Sequence, residues 1–177
     1  MYGLVNKAVK ELVIEKFGEE SWETICAKAN YTDGDFLSMS PYPDKLTFDL
    51  VASASEVLNV PAEDLLFAFG EYWILYTAEQ GYGNMLELAG DSFPKFLKNL
   101  NMLHQRVNSV MPELKPPAFT VRNEKENYLE LVYNSHRTGL IPMLKGLVSG
   151  LGKRFELVVE CTHLKEEEGA HVFVVKW

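Results

Sequence analysis

Along this chain the apolar residues first change their spacing near Pro112, and that change limits the folds open to it. Before it they recur at three- and four-residue steps, the spacing of a helix with one buried face. Leu4, Val5, Ala8, Val9, Leu12, Val13 and Phe17 predict a first helix that Gly18 ends, with Trp22 and Ile25 in a shorter second one. The stretch from Tyr31 to Asp44, with Gly34, Pro41 and Pro43, predicts a loop. Phe48, Val51, Ala54 and Leu58 then line a third helix. Pro61 starts another that carries Leu65, Leu66, Phe69, Trp73 and Tyr76 and is punctuated by Gly81 and Gly83. After a short segment around Met85 to Leu88, Asp91 or Ser92 is placed to cap a single helix through Phe93, Phe96, Leu97, Leu100, Leu103 and Val107.

Past Pro112 the pattern shifts toward alternation. Lys115, Pro116 and Pro117 predict a stiff extended hinge. Ala118 to Arg122 and Tyr128 to Tyr133 read as strands around the polar turn Asn123 to Asn127, and Glu156 to His163 and Ala170 to Trp177 as strands around the turn KEEEG. Between the hairpins, Leu140 to Phe155 is helical, with Met143, Leu144, Leu147, Val148 and Leu151 on one side. The expected class is α+β: a helical N-terminal lobe, then a lobe with a four-stranded antiparallel sheet and helices on one face. A chain of 177 residues that is 47% hydrophobic fills one core, and a single domain spanning 1–177 is the expectation.

Charge and cysteine usage narrow the function. A net charge of -8, from 25 acidic against 17 basic residues, argues against nucleic acid or an anionic membrane as partner. Cys26 and Cys161 are the only cysteines, so there is no disulfide framework and no Cys-x-x-Cys motif. A reducing cytoplasm is the expected location. No apolar run reaches the ~18 residues of a membrane span, and the N-terminal segment interleaves Lys and Glu with its apolar residues.

Two polar features stand out. His104 sits on the stripe of Leu and Phe in LKNLNMLHQRV, where an unpartnered imidazole costs free energy. It is either a core histidine bonded to a carbonyl or an axial ligand to a porphyrin iron, with apolar neighbours covering the macrocycle; taken alone, it favours the first. The second feature is Tyr133-Asn134-Ser135-His136-Arg137 at the end of a strand. In an extended backbone Tyr133, Ser135 and Arg137 share a face, and a phenol, a hydroxyl and a guanidinium suit a ligand with two carboxylates. The alternative is an ordinary strand end in which Ser135 caps the next helix and Arg137 is solvated. No catalytic set competes: Asp91-Ser92 has no nucleophile elbow, and Gly81-Tyr82-Gly83 is a turn rather than a phosphate loop.

MYGLVNKA, LHQRV, KPPAF and the Tyr-x-Ser-x-Arg set, in this order over nearly the whole chain, resemble the haem nitric oxide/oxygen binding family, H-NOX. That family is similar to the haem domain of the soluble guanylate cyclase β subunit, and the chain looks closest to its cyanobacterial members. The resemblance implies haem b between a helical lobe of about 1–60 and a haem-carrying lobe of about 61–177. It makes His104 the proximal iron ligand, assigns the propionates to Tyr133, Ser135 and Arg137, and has Pro117 press the porphyrin out of plane. Val5, Trp73, Met143 and Leu147 fall on the distal side. Met143 stands where oxygen-holding relatives carry a tyrosine, so the expected ligands are nitric oxide and CO, with oxygen bound poorly. The Trp73 indole N–H is the one donor that could point toward the iron, and it reads equally well as packing.

The resemblance further implies a sensor and not an enzyme. Rupture of the His104–iron bond would signal to a separate protein: a histidine kinase, a diguanylate cyclase or a cyclase-like protein. Some relatives assemble a zinc or thiol site where Cys161, His163 and His171 lie, but one cysteine favours strand packing here. Two rival readings remain: a haem electron carrier with Met143 as second axial ligand, and a haem-free interaction domain.

Overall fold

The computed structural model describes residues 1–77 and 83–177. Gly81 and Tyr82, singled out above as part of a turn, lie outside the described residues. Helices α1 (Gly3–Phe17), α2 (Glu19–Lys28), α3 (Asp44–Leu58) and α4 (Ala62–Thr77) are followed by the short α5 (Gly83–Glu87). Gly18 ends α1 at φ 85°, with its N–H on the Ile14 carbonyl at 3.0 Å. Glu19 and Glu20 then sit in the first turn of α2, where the helix dipole favours negative charge. Asn59, left-handed at φ 51°, closes α3.

The buried face of α3 differs from the expected stripe. Thr47, Leu50, Ser53 and Ala54 are buried, while Phe48, Val51 and Leu58 are half-buried. The Thr47 hydroxyl donates to Asn6 Oδ1 of α1 at 2.6 Å, and this buried polar pair, in which Asn6 Nδ2 finds no partner among the described residues, takes the place in the core that a purely apolar count gave to Phe48.

The helix expected through residues 93–110 is two helices. α6 (Phe93–Lys98) and α7 (Leu100–Val110) are broken at Asn99, whose backbone is at φ -95°, ψ 2° and whose side-chain amide donates to the Ala89 carbonyl at 2.8 Å. Ser92 occupies the N-cap of α6 but makes no capping bond.

Strands β1 (Ala118–Lys125), β2 (Tyr128–Asn134), β3 (Glu160–Glu167) and β4 (Ala170–Lys176) form one antiparallel sheet in the order β1-β2-β4-β3, with α8 (Ile141–Arg154) between the hairpins. β3 starts later than the alternation predicts because α8 ends in a Schellman turn. Glu156 is left-handed at φ 57°, Leu157 N–H bonds to Gly152 O at 2.9 Å and Glu156 N–H to Lys153 O at 3.1 Å. At its other end β3 runs into the charged stretch expected as turn. Only Glu168 (φ 52°) and Gly169 (φ 78°) make the reversal, both at the positive φ that a tight type I′ hairpin demands.

Two apolar clusters result. Helices α1 to α4 enclose the first, with Phe69 and Tyr76 of α4 inside it. The second joins α6, α7 and α8 to one sheet face, where Leu129, Leu131, Phe173 and Val175 are fully buried. Helices α4 and α8 meet backbone to backbone between the clusters. A Cβ on Gly146 would lie 2.0 Å from Phe67 O, and one on Gly70 2.2 Å from Met143 O, so only glycine fits at either point.

Candidate functional site

A cavity of about 1260 Å³, its mouth included, opens between the two clusters. His104, Pro117, Tyr133, Ser135, Arg137, Val5, Trp73, Met143 and Leu147 all line it. Leucines and phenylalanines from α6, α7 and α8 complete walls that are almost wholly apolar.

His104 is on α7, directly before the exposed residues Gln105 and Arg106. Its Nδ1 lies 3.1 Å from the Pro117 carbonyl, which can only accept, so Nδ1 carries the proton. Nε2 makes no hydrogen bond among the described residues. Burial pushes the imidazole pKa down and outweighs the bond to Pro117, which pushes it up. The ring is therefore neutral, with one lone pair on Nε2. It packs at 5.7 Å against the ring of Phe119, which in turn lies 5.5 Å from that of Tyr133.

Tyr133, Ser135 and Arg137 converge by a different route from strand alternation. β2 ends at Asn134, so Ser135 and Arg137 lie in the bend beyond it. Ser135 does not cap α8; its Oγ accepts the Arg137 N–H at 3.1 Å, and Leu140 is the N-cap residue of α8. Nor is Arg137 solvated. Its Nε donates to Asp44 Oδ2 at 2.7 Å, one terminal nitrogen to Lys115 O at 2.9 Å, and the other to Asp44 Oδ1 at 3.3 Å and Leu114 O at 3.2 Å. Lys115 is accordingly not extended as the Lys-Pro-Pro pattern predicts. It is left-handed at φ 47°, and Arg137 holds its carbonyl in that conformation.

Asp44 is the site residue that sequence reasoning missed. It starts α3, 93 positions from its partner, and reads there as the end of a loop. The Met1 ammonium also donates to its Oδ1, at 2.5 Å. Burial works against the ionised form of Asp44, but hydrogen bonds and charge from Arg137 and the Met1 ammonium prevail and bring its pKa down to about 2. An ion pair thus links Asp44 at the start of α3 to Arg137 in the cavity lining.

On β3 and β4, His171 Nδ1 and His163 Nε2 are 3.3 Å apart, and both rings pack on Phe173. Burial pushes the Cys161 thiol up to about 12. No group of three metal-ligating side chains occurs among the described residues. No helix among them is long and apolar enough to cross a membrane.

Residues 2–163 match the Haem-NO-binding family. Among curated proteins the chain is similar to the soluble guanylate cyclases gcy-37 and gcy-35 of Caenorhabditis elegans, at 32% identity over 172 residues and 30% over 173. These alignments cover 95% and 94% of this chain but only 24% and 25% of the cyclases, so the chain spans about a quarter of the length of the relatives it matches. Among solved structures, an H-NOX protein from S. oneidensis in the Fe(II)NO ligation state superposes with a TM-score of 0.89 at 20% identity, covering 99% of this chain and 98% of that one. An Fe(II) unliganded H-NOX protein from K. algicida does so with a TM-score of 0.84 at 23% identity, covering 99% and 96%. The α+β architecture around the cavity is the H-NOX fold, and the chain belongs to the Haem-NO-binding family, a family of haem-based gas-sensor domains rather than enzymes.

Proposed function

We propose that this chain senses nitric oxide, and also binds CO, through haem b (iron protoporphyrin IX) held in the cavity between a helical lobe of about 1–60 and a mixed lobe of about 61–177. The state of His104 carries the reading. A neutral ring with Nδ1–H committed to a carbonyl and Nε2 left open is the arrangement of an iron-ligating histidine with its outer partner in place. The rest of the donor set fits the same group. Apolar walls suit a macrocycle, and Tyr133, Ser135 and Arg137 at the mouth suit two propionates, with Pro117 against the porphyrin. Haem held there would supply a ferrous iron able to bind a diatomic gas, with His104 Nε2 as the protein ligand whose release would carry the signal.

The residues of the chain determine what that signal selects and moves. Met143, Leu147 and Val5 offer a bound gas no hydrogen-bond donor, and Trp73 packs on Phe69 and Tyr76 at 5.9 and 6.2 Å between ring centres. A polarised oxygen ligand forgoes a charge-assisted hydrogen bond of about 1.5–3 kcal/mol, whereas nearly apolar nitric oxide forgoes little. Selectivity against oxygen follows from these three residues, with the Trp73 indole N–H as the one further donor on the proposed distal side. Four of the five N–H donors of Arg137 already serve Asp44, Lys115 and Leu114, so one is left for a propionate, which would thereby be linked through the guanidinium to Asp44 and the contact between lobes. Were Nε2 released, His104 would stay neutral, and α7 would move together with residues 117–119, to which it is bonded. The output passes to a signalling protein in the cytoplasm: a histidine kinase, a diguanylate cyclase or a cyclase-like protein.

The test is the visible spectrum of the reduced protein alone, in air and with nitric oxide. The expected result is a five-coordinate haem that shifts with nitric oxide and is unchanged by air. A six-coordinate ferrous spectrum without added ligand would instead support Met143 as second ligand and an electron-carrier role. A wild-type protein that takes up no haem overturns the proposal, as does a His104→Gly variant that takes it up unaided with wild-type spectra.

A further inference from the structure

β1 is an edge strand, and at Phe119 its outward backbone is satisfied by a side chain. Asn101 Nδ2 donates to Phe119 O at 2.6 Å, and Phe119 N–H donates to Asn101 Oδ1 at 2.8 Å. A carboxamide carries donor and acceptor side by side as a peptide group does, so Asn101 stands in for the missing neighbouring strand. His104 follows three positions later on the same helix, and residues so spaced are neighbours on one helix face. Its Nδ1–H reaches Pro117 O, two residues before Phe119. Three hydrogen bonds thereby tie one turn of α7 to residues 117–119. The helix has few other anchors: Leu103 is its one buried residue, and Gln105, Arg106, Asn108, Ser109 and Val110 are exposed.

We infer that Asn101 is a positioning residue for His104. By clamping α7 to the start of β1 it holds Pro117 O where Nδ1–H can reach it, and so fixes both the tautomer of the ring and the direction of Nε2. Asn101 does not line the cavity, so it acts on it only through the residues it holds, Phe119 and His104. The inference rests on His104 being the iron ligand, but its first consequence concerns a proton on the ring and can be read without haem.

The experiment compares wild type with Asn101→Ala, Asn101→Asp and Asn99→Ala. Asn101→Asp keeps the acceptor for Phe119 N–H and turns the donor into a second acceptor facing a carbonyl. Asn99→Ala removes a comparable side-chain bond, to Ala89, two residues earlier, and controls for general loosening. Nitrogen NMR of the haem-free protein reads the His104 tautomer, resonance Raman of the reduced haem-loaded protein reads the iron–histidine stretch, and thermal melting reads the fold. Both Asn101 variants are expected to turn the Nδ1–H form from the dominant species into a minority one and to lower and broaden the iron–histidine band. Asn99→Ala is expected to lower the melting temperature and leave both spectra unchanged. If Asn101→Ala fails to fold, Asn101→Asp carries the comparison. Unchanged tautomer and stretch in the Asn101 variants, or equal changes in Asn99→Ala, overturn the inference. Were the wild type to bind no haem, the proposed function would fail while the tautomer measurement still decided the role of Asn101.

Discussion

Asp44→Asn removes the charge from the contact between α3 and the segment after β2 while keeping nearly the same shape. With a pKa of about 2 against an ordinary 3.8, ionised Asp44 stabilises the native state by about 2.4 kcal/mol at most, at 1.36 kcal/mol per unit. The side chain is 34% exposed, so solvent screening reduces this to about 1–2 kcal/mol. For a domain of this size that is a melting temperature lower by about 3–6 °C at pH 7. The folded pKa is depressed, so this stability is complete above the unfolded carboxyl value and is lost as pH falls toward 2. About half remains at pH 3. Urea titrations of wild type and Asp44→Asn, and of both in an Arg137→Gln background, measure it. The gap between the first pair is expected to be largest above pH 5, to halve by pH 3, and to shrink in the Arg137→Gln background. A gap of constant size from pH 7 to pH 3, or one indifferent to Arg137, would refute the reasoning.

Other expectations follow from single contacts. Met143→Tyr adds a hydroxyl donor to the cavity wall proposed to face the gas; at about 1.5–3 kcal/mol it raises oxygen affinity roughly tenfold to a hundredfold, seen as an oxygen spectrum stable in air. Gly146→Ala puts a methyl 2.0 Å from Phe67 O, where the backbones of α4 and α8 must part, and destabilises by about 1–3 kcal/mol or more, read by thermal melting.

Much of this molecule was legible in the sequence. The change of apolar period marked helices and strands, and the order of the hairpins gave the sheet its two halves. His104 and the Tyr-x-Ser-x-Arg set were visible as polar residues where apolar spacing or a strand end made them costly. The misses share a cause. The break at Asn99 depends on a carbonyl ten positions away, the late start of β3 on a turn made with α8, and the buried face of α3 on an asparagine in α1. Periodicity reports which face of an element is apolar and says nothing of which distant atom a polar side chain will meet.

The sequence by itself determined the element types, the apolar stripe that carries His104 and the set of donors near Arg137. Only the tertiary structure decided that His104 is neutral with its proton on Nδ1, that Asn101 clamps its helix, and that Asp44 shares Arg137 across 93 residues. The reason is physical: local spacing is governed by backbone geometry within one element. A proton's place and an ion pair's strength depend on burial and on partners that only the folded chain brings within 3 Å or so.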